Sequence, residues 1–294
     1  MTNLTPPDPI DQDPIAPSSP TGPAPTPTKG SATAITIVAA IVGALSLVFA
    51  GGTAAFAATT QALAANGASG SDVVVDAAGV TKLNLDADGG SVTIRYGDVT
   101  EATLRTEGRT NTTWTMRRDG DTLDVRSPRT VFGWWIGGWF PSPSTTTLTL
   151  PEELKGTLDA DLTLEAGSLD AAGDFDAVTA TVSAGSMTLS GTISRLDVNV
   201  EAGRADISAE DTSSVALTMS AGRVDADFTG TQPDRVSLDV SAGGMDVRLP
   251  AGSYDLTKDV SAGTVDSGLT QSAGSPNRVS AKVSAGSVTL QQEH

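Results

Sequence analysis

The chain of 294 residues carries 31 Gly, 16 Pro, 4% aromatic residues, no Cys and one His, with a formal net charge of −17. The lack of Cys excludes disulfides, thiolate nucleophiles and Cys-based metal sites, and a sole His at position 294 excludes Ser-His triads and His-ligated metals. The strong negative charge argues against nucleic acid as a partner, because phosphate recognition needs clustered Lys and Arg, and no cofactor is expected.

Residues 1–31 hold nine Pro among Thr, Ser, Ala and Asp. A segment without apolar periodicity cannot bury enough surface to offset its ordering entropy, so it reads as a disordered, Pro-rich cytoplasmic tail. No charged residue occurs between Lys29 and Asp72. The apolar run from Ile35 to Ala58 spans about 36 Å as a helix, enough for a bilayer core of about 30 Å. A transmembrane helix over 32–58 is therefore expected, with the lipid bilayer as its partner. A signal peptide cut after Ala55-Phe56-Ala57 is the alternative, opposed by the long Pro-rich lead and the lack of basic residues near Met1. Lys29 places the N-terminus in the cytoplasm and the rest of the chain outside, so a single-pass cell-membrane protein with an extracytoplasmic C-terminal domain is expected. Residues 59–71 read as a stalk.

From 72 to 150 comes a divergent β region. Leu83-x-Leu85, the turn Asp88-Gly89-Gly90-Ser91 and Val92-x-Ile94 echo the repeat phrase found further along the chain, so the solenoid, or a cap for it, is expected to start here. Glu101–Arg105, Thr113–Arg117 and Thr122–Arg126 read as further strands, with a hairpin turn at Asp119-Gly120. Residues 131–140, Val-Phe-Gly-Trp-Trp-Ile-Gly-Gly-Trp-Phe, hold three of the four Trp. Their Gly and the following Pro141 and Pro143 argue for a loop, and so much aromatic surface must be covered by something. It either caps an open end of the fold, or meets a membrane interface or a partner protein through Trp134, Trp135, Trp139, Phe140, Arg126 and Arg129.

From 151 to 294 a phrase recurs: an alternating strand, Ser-Ala-Gly or Glu-Ala-Gly, then a second alternating strand. Its Gly stands at 167, 185, 203, 222, 243, 263 and 286, a period of 18–23 residues. Side chains alternate along a strand. Three residues before the Gly, Leu164, Val182, Val200, Met219, Val240, Val260 and Val283 thus share a level. Two residues after it, Leu169, Met187, Ala205, Val224, Met245, Val265 and Val288 share another. Both sets are expected to stack inward, giving an all-β fold, a β-solenoid of 18–23-residue coils. Three residues after the Gly, Asp170, Thr188, Asp206, Asp225, Asp246, Asp266 and Thr289 face outward. Most corners carry a single Gly and lack the Gly-Gly-x-Gly-x-Asp turn of calcium-binding solenoids, so this reads as a solvated acidic face and no metal site is expected.

The anchor, the strand-rich lead-in, the phrase Thr146-x-Leu148-x-Leu150-Pro151 and the Gly-centred repeats together resemble the bacterial "putative adhesin" family, envelope domains of unknown function, over about Asp72 to Leu290. The resemblance implies a β-solenoid exposed on the cell surface, with some family members encoded beside envelope stress-response systems.

The expected function is therefore non-enzymatic: adhesion, envelope scaffolding or binding, with an envelope protein or polysaccharide as partner. An accessory regulator or sensor of envelope stress is the alternative. A polysaccharide lyase or hydrolase is less favoured, because carboxylates such as Asp225 and Asp246 recur once per repeat, whereas a glycosidase needs one pair in a unique cleft.

Overall fold

A computed structural model describes residues 70–107, 114–128 and 145–293. All belong to the unit Asn66–His294, the second of two into which the chain divides. The expected tail, membrane helix and most of the stalk lie outside the described residues, and among those described no helix is long and apolar enough to cross a membrane. The fold is all-β. Its strands are β1 (Gly70–Val75), β2 (Lys82–Ala87), β3 (Ser91–Gly97), β4 (Ala102–Glu107), β5 (Thr115–Asp119), β6 (Thr122–Arg126), β7 (Thr145–Pro151) and β8 (Asp159–Ala172). They continue as β9 (Phe175–Glu210), β10 (Ser214–Thr229), β11 (Arg235–Val240), β12 (Gly244–Leu249), β13 (Ser253–Ser267), β14 (Thr270–Gln271) and β15 (Arg278–Gln292).

Each repeat makes one rung: a strand, a glycine corner and a second strand. Successive rungs pair in parallel and in register, with Gly167 level with Gly185 and Gly203 level with Gly222. The Leu83-to-Ile94 phrase is a further rung of the same kind, since β2 and β3 both pair with β8. The expected inward positions are buried throughout the seven repeats except in the rung of Gly263, where Val260 is 40% exposed and Val265 only partly covered.

The corner glycines explain why the register is fixed. A Cβ on Gly203 would lie 2.1 Å from the carbonyl oxygen of Gly185, and each of the other six repeat glycines meets the same obstacle from the glycine of its neighbouring rung. Their φ values lie between 112° and 149°, a region that L side chains rarely adopt. Any other residue at these corners would have to push two rungs apart.

At both ends the order of rungs in space departs from the order in sequence. The rung of β6 and β7 lies outside that of β2 and β3, which pairs with β8 on its other side. The antiparallel strands β5 and β4 then cover β6 and β7, and β1 pairs with β4. At the far end β15 inserts between β11/β12 and β13, so that Gly286 follows Gly243 and Gly263 comes last. Among the described residues, rung β13 thus pairs along one edge with β15 and along the other only at Ser253 and Tyr254, with β14, which accounts for the exposure of Val260.

Gly203→Ala should lower stability by more than about 3 kcal/mol, since it combines backbone strain with a backbone collision. Gly120→Ala, in the hairpin turn with φ 63° and nothing within 4 Å of the added methyl, should cost only about 1–2 kcal/mol. Thermal or denaturant unfolding of both variants checks the difference.

Candidate functional site: a charged groove across the rungs

The strand that follows each corner turns its first, third and fifth residues outward. Parallel register brings the third residues of adjacent rungs together, so Asp206 lies level with Asp225 and Asp225 with Asp246. Thr188 precedes this trio in the ladder. Because of the exchanged order at the far end, Thr289 follows Asp246, and Asp266 lies beyond Thr289.

Three carboxylates in a row repel one another, and like charges directly opposite destabilise a sheet. The residues two positions earlier resolve this. Arg204 donates from Nε and Nη2 to both carboxylate oxygens of Asp206 at 2.8–3.1 Å, and from Nη2 to Asp225 at 2.9 Å. Arg223 repeats the pattern one rung on, gripping Asp225 and reaching Asp246. Beside them Arg248 joins Asp227 at 3.0 Å and Gln291 at 3.4 Å. Asp206, Arg223, Asp225, Asp227, Asp246 and Arg248 line an open groove of about 550 Å³, with Arg204 bonded to its rim carboxylates. The acidic face was legible in the sequence, but its arginines were passed over. The signal was Arg204-Ala205-Asp206 followed nineteen residues later by Arg223-Val224-Asp225.

The groove's chemistry is that of a hydrogen-bonding surface that keeps a net negative charge, with four carboxylates against three guanidiniums. Asp225 and Asp246 share the guanidinium of Arg223. Among the described residues no cluster of His, Cys, Asp or Glu could hold a metal ion. Hydrogen bonds from the Arg204 guanidinium hold the Asp206 carboxyl below the usual carboxylate range. The backbone N–H and hydroxyl of Thr231 do the same for Asp211, which holds the left-handed turn after β9.

Of the contact residues expected from sequence, Arg126 ends β6 and lies 3.6 Å from the carboxylate of Asp124. Arg129, Trp134, Trp135, Trp139 and Phe140 lie outside the described residues. The places where their segment leaves and rejoins the fold are nonetheless defined. Ser127 bonds to the backbone of Asp86 and Asp88, while Thr145 is level with Ser91. Residues 127–144 therefore connect the two strands of a rung where the adjacent rung uses only Asp88, Gly89 and Gly90.

Residues 80–294 match the Toastrack DUF4097 family. The chain belongs to this family. No curated protein matches it. Among solved structures, this Toastrack chain is similar to a "putative cell adhesion protein" from Clostridium sporogenes, at 14% identity and a TM-score of 0.36, covering 76% of this chain and 99% of that one. A "putative adhesin" from Bacteroides fragilis gives 13% identity and a TM-score of 0.26, covering 76% and 97%. A "putative lipid binding protein" from Parabacteroides distasonis gives 12% identity and a TM-score of 0.26, covering 78% and 98%.

The lowered pKa of Asp206 has a stability consequence of definite sign. Its ionised form is favoured by folding, so its contribution is complete above the unfolded carboxylate value of about 3.9. That contribution fades as pH falls through the lower folded value. Asp206→Asn should accordingly be less stable than the parent at pH 7 and approach it at acid pH. Because the pair is exposed, the gap should shrink in high salt. Urea unfolding at pH 7 and at pH 3, with and without 1 M NaCl, checks both trends.

Proposed function

We propose that this Toastrack domain is the extracytoplasmic part of a single-pass membrane protein, a β-solenoid that works by binding rather than by catalysis, in adhesion or as an envelope scaffold. The carrying observation is the position of residues 127–144 in the chain, between β6 and β7, the two strands of one rung. The rungs repeat at short intervals, and the carboxylates of their charged groove are engaged by Arg204, Arg223 and Arg248. In contrast, the chain's aromatic cluster falls in one connection between two strands of a rung.

Such a segment suits a contact role because interface energy concentrates in a few aromatic and Arg side chains. Trp134, Trp135, Trp139 and Phe140 supply the aromatic area, with Arg126 and Arg129 beside them to meet lipid phosphates or an acidic partner. The uncharged run at 32–58 supports the anchor, and Lys29 supports a cytoplasmic N-terminus.

Changing Trp134, Trp135 and Trp139 together to Ser should abolish association of the isolated domain, without residues 1–65, with envelope fractions while leaving its β-type circular dichroism and melting temperature intact. Unfolding of the triple variant, together with no association by the wild type, would instead assign the segment to a structural cap. Protease added to intact cells with a permeable wall should remove the β domain and spare the tail. A secreted product beginning at Ala58 would establish cleavage instead of anchoring.

A further inference from the structure

At the far end of the repeats, the edge of β13 away from β15 is unpaired over most of its length among the described residues. Among the described residues, β13 pairs with β15 along Asp255–Ser267, whereas β14 pairs only with Ser253 and Tyr254. The other edge of Asp255–Ser267 is thus an unpaired length of extended backbone, the kind of edge that accepts a further strand.

The inward side chains of this rung differ from those of the rungs beneath it. Lys258 is level with Ala281, and the same ladder continues through Leu238, Leu217 and Val198. Its members in the earlier rungs, Leu85, Leu162 and Ala180, are apolar as well. Ser267 similarly occupies a level held by Leu290, Val247, Ala226 and Ile207. The Lys258 ammonium donates to the carbonyl oxygen of Val265 at 3.0 Å, bonding a neutral acceptor across the end of the core. Leu256 and Val265 are partly buried around it, and Val260 is 40% exposed, against 0% for Val240 and 1% for Val283 in the same ladder.

We propose that the open edge of β13 accepts an extended strand of another polypeptide with a carboxylate side chain level with Lys258, and that Lys258 turns away a second copy of this chain. The backbone edge supplies the ladder of hydrogen bonds, and Leu256, Val260 and Val265 supply apolar contact. An Asp or Glu facing Lys258 replaces a carbonyl acceptor with an ion pair, which is the stronger, charge-assisted contact. A second copy meets the opposite situation. Two β13 strands joined edge to edge by a two-fold axis run antiparallel, and the inward residues of one meet those of the other. A register with its two-fold axis at residue 258 sets Lys258 against Lys258, and like charges opposed in this way disfavour the pair.

The test uses the full-length protein in detergent and a labelled peptide with the sequence of residues 278–292 carrying Ala281→Glu, with an Ala281→Lys peptide for comparison. In fluorescence polarisation the Glu peptide should bind at least tenfold more tightly than the Lys peptide. Lys258→Glu should reverse that order, and Lys258→Gln should erase it, with circular dichroism confirming that each variant is folded. A Val260→Cys variant, in a chain with no other Cys, should lose reactivity towards an alkylating reagent when the Glu peptide is bound. Equal binding of the two peptides, binding of neither to folded protein, or unchanged alkylation of the cysteine would overturn the proposal. So would micromolar self-association of the wild type that Lys258→Gln leaves unaltered.

Discussion

The corner glycines set the closest approach between neighbouring rungs, and the remaining geometry follows from it. Where the Cα of one corner sits against the carbonyl of the next, with no room for a Cβ, one glycine must follow another in a continuous column. A slip of one residue would drive a side chain into that column and turn every inward residue outward. The core can therefore be assembled from Val, Leu, Met and Ala with few aromatics. Precise stacking of short side chains takes the place of large ones.

The same register creates the electrostatic problem that the outer face solves. Identical positions in a parallel stack bring identical residues together, so a repeated Asp becomes a column of charge. Two arginines placed two residues upstream turn that column into an alternating lattice in which each guanidinium bridges adjacent rungs. These are exposed pairs, each worth little by itself. Their main effect is to let acidic side chains accumulate without forcing the rungs apart. Thr188 and Thr289 bound the trio and limit its length.

The alternation of strands and the corner glycines were legible in the sequence because they obey local rules, a period of two and the sterics of positive φ. The order of the last two repeats was not, because local pattern does not say which edge a strand will join. Lys258 and Ser267 nevertheless carried the information: a rung covered on both faces would not place an ammonium and a hydroxyl at levels that are otherwise apolar. The role of residues 127–144 was hidden for a related reason. Their hydrophobicity announced an unusual segment, but only the pairing of Thr145 with Ser91 shows that the chain on either side of it belongs to one rung, next to a rung whose strands are joined by three residues.

The exchanged order at the far end has a consequence for biosynthesis. A stack built strictly in sequence could lengthen as the chain emerged, each rung closing on the one before it. Here β13 is made before β15 but rests on it, so the penultimate repeat has no lasting place until the final one arrives. At about 5–20 residues per second the interval is a few seconds of synthesis, during which a finished segment waits beside an exposed edge. The tip of the domain can close only after β15 has been made, so its maturation waits on a segment that follows it in the chain.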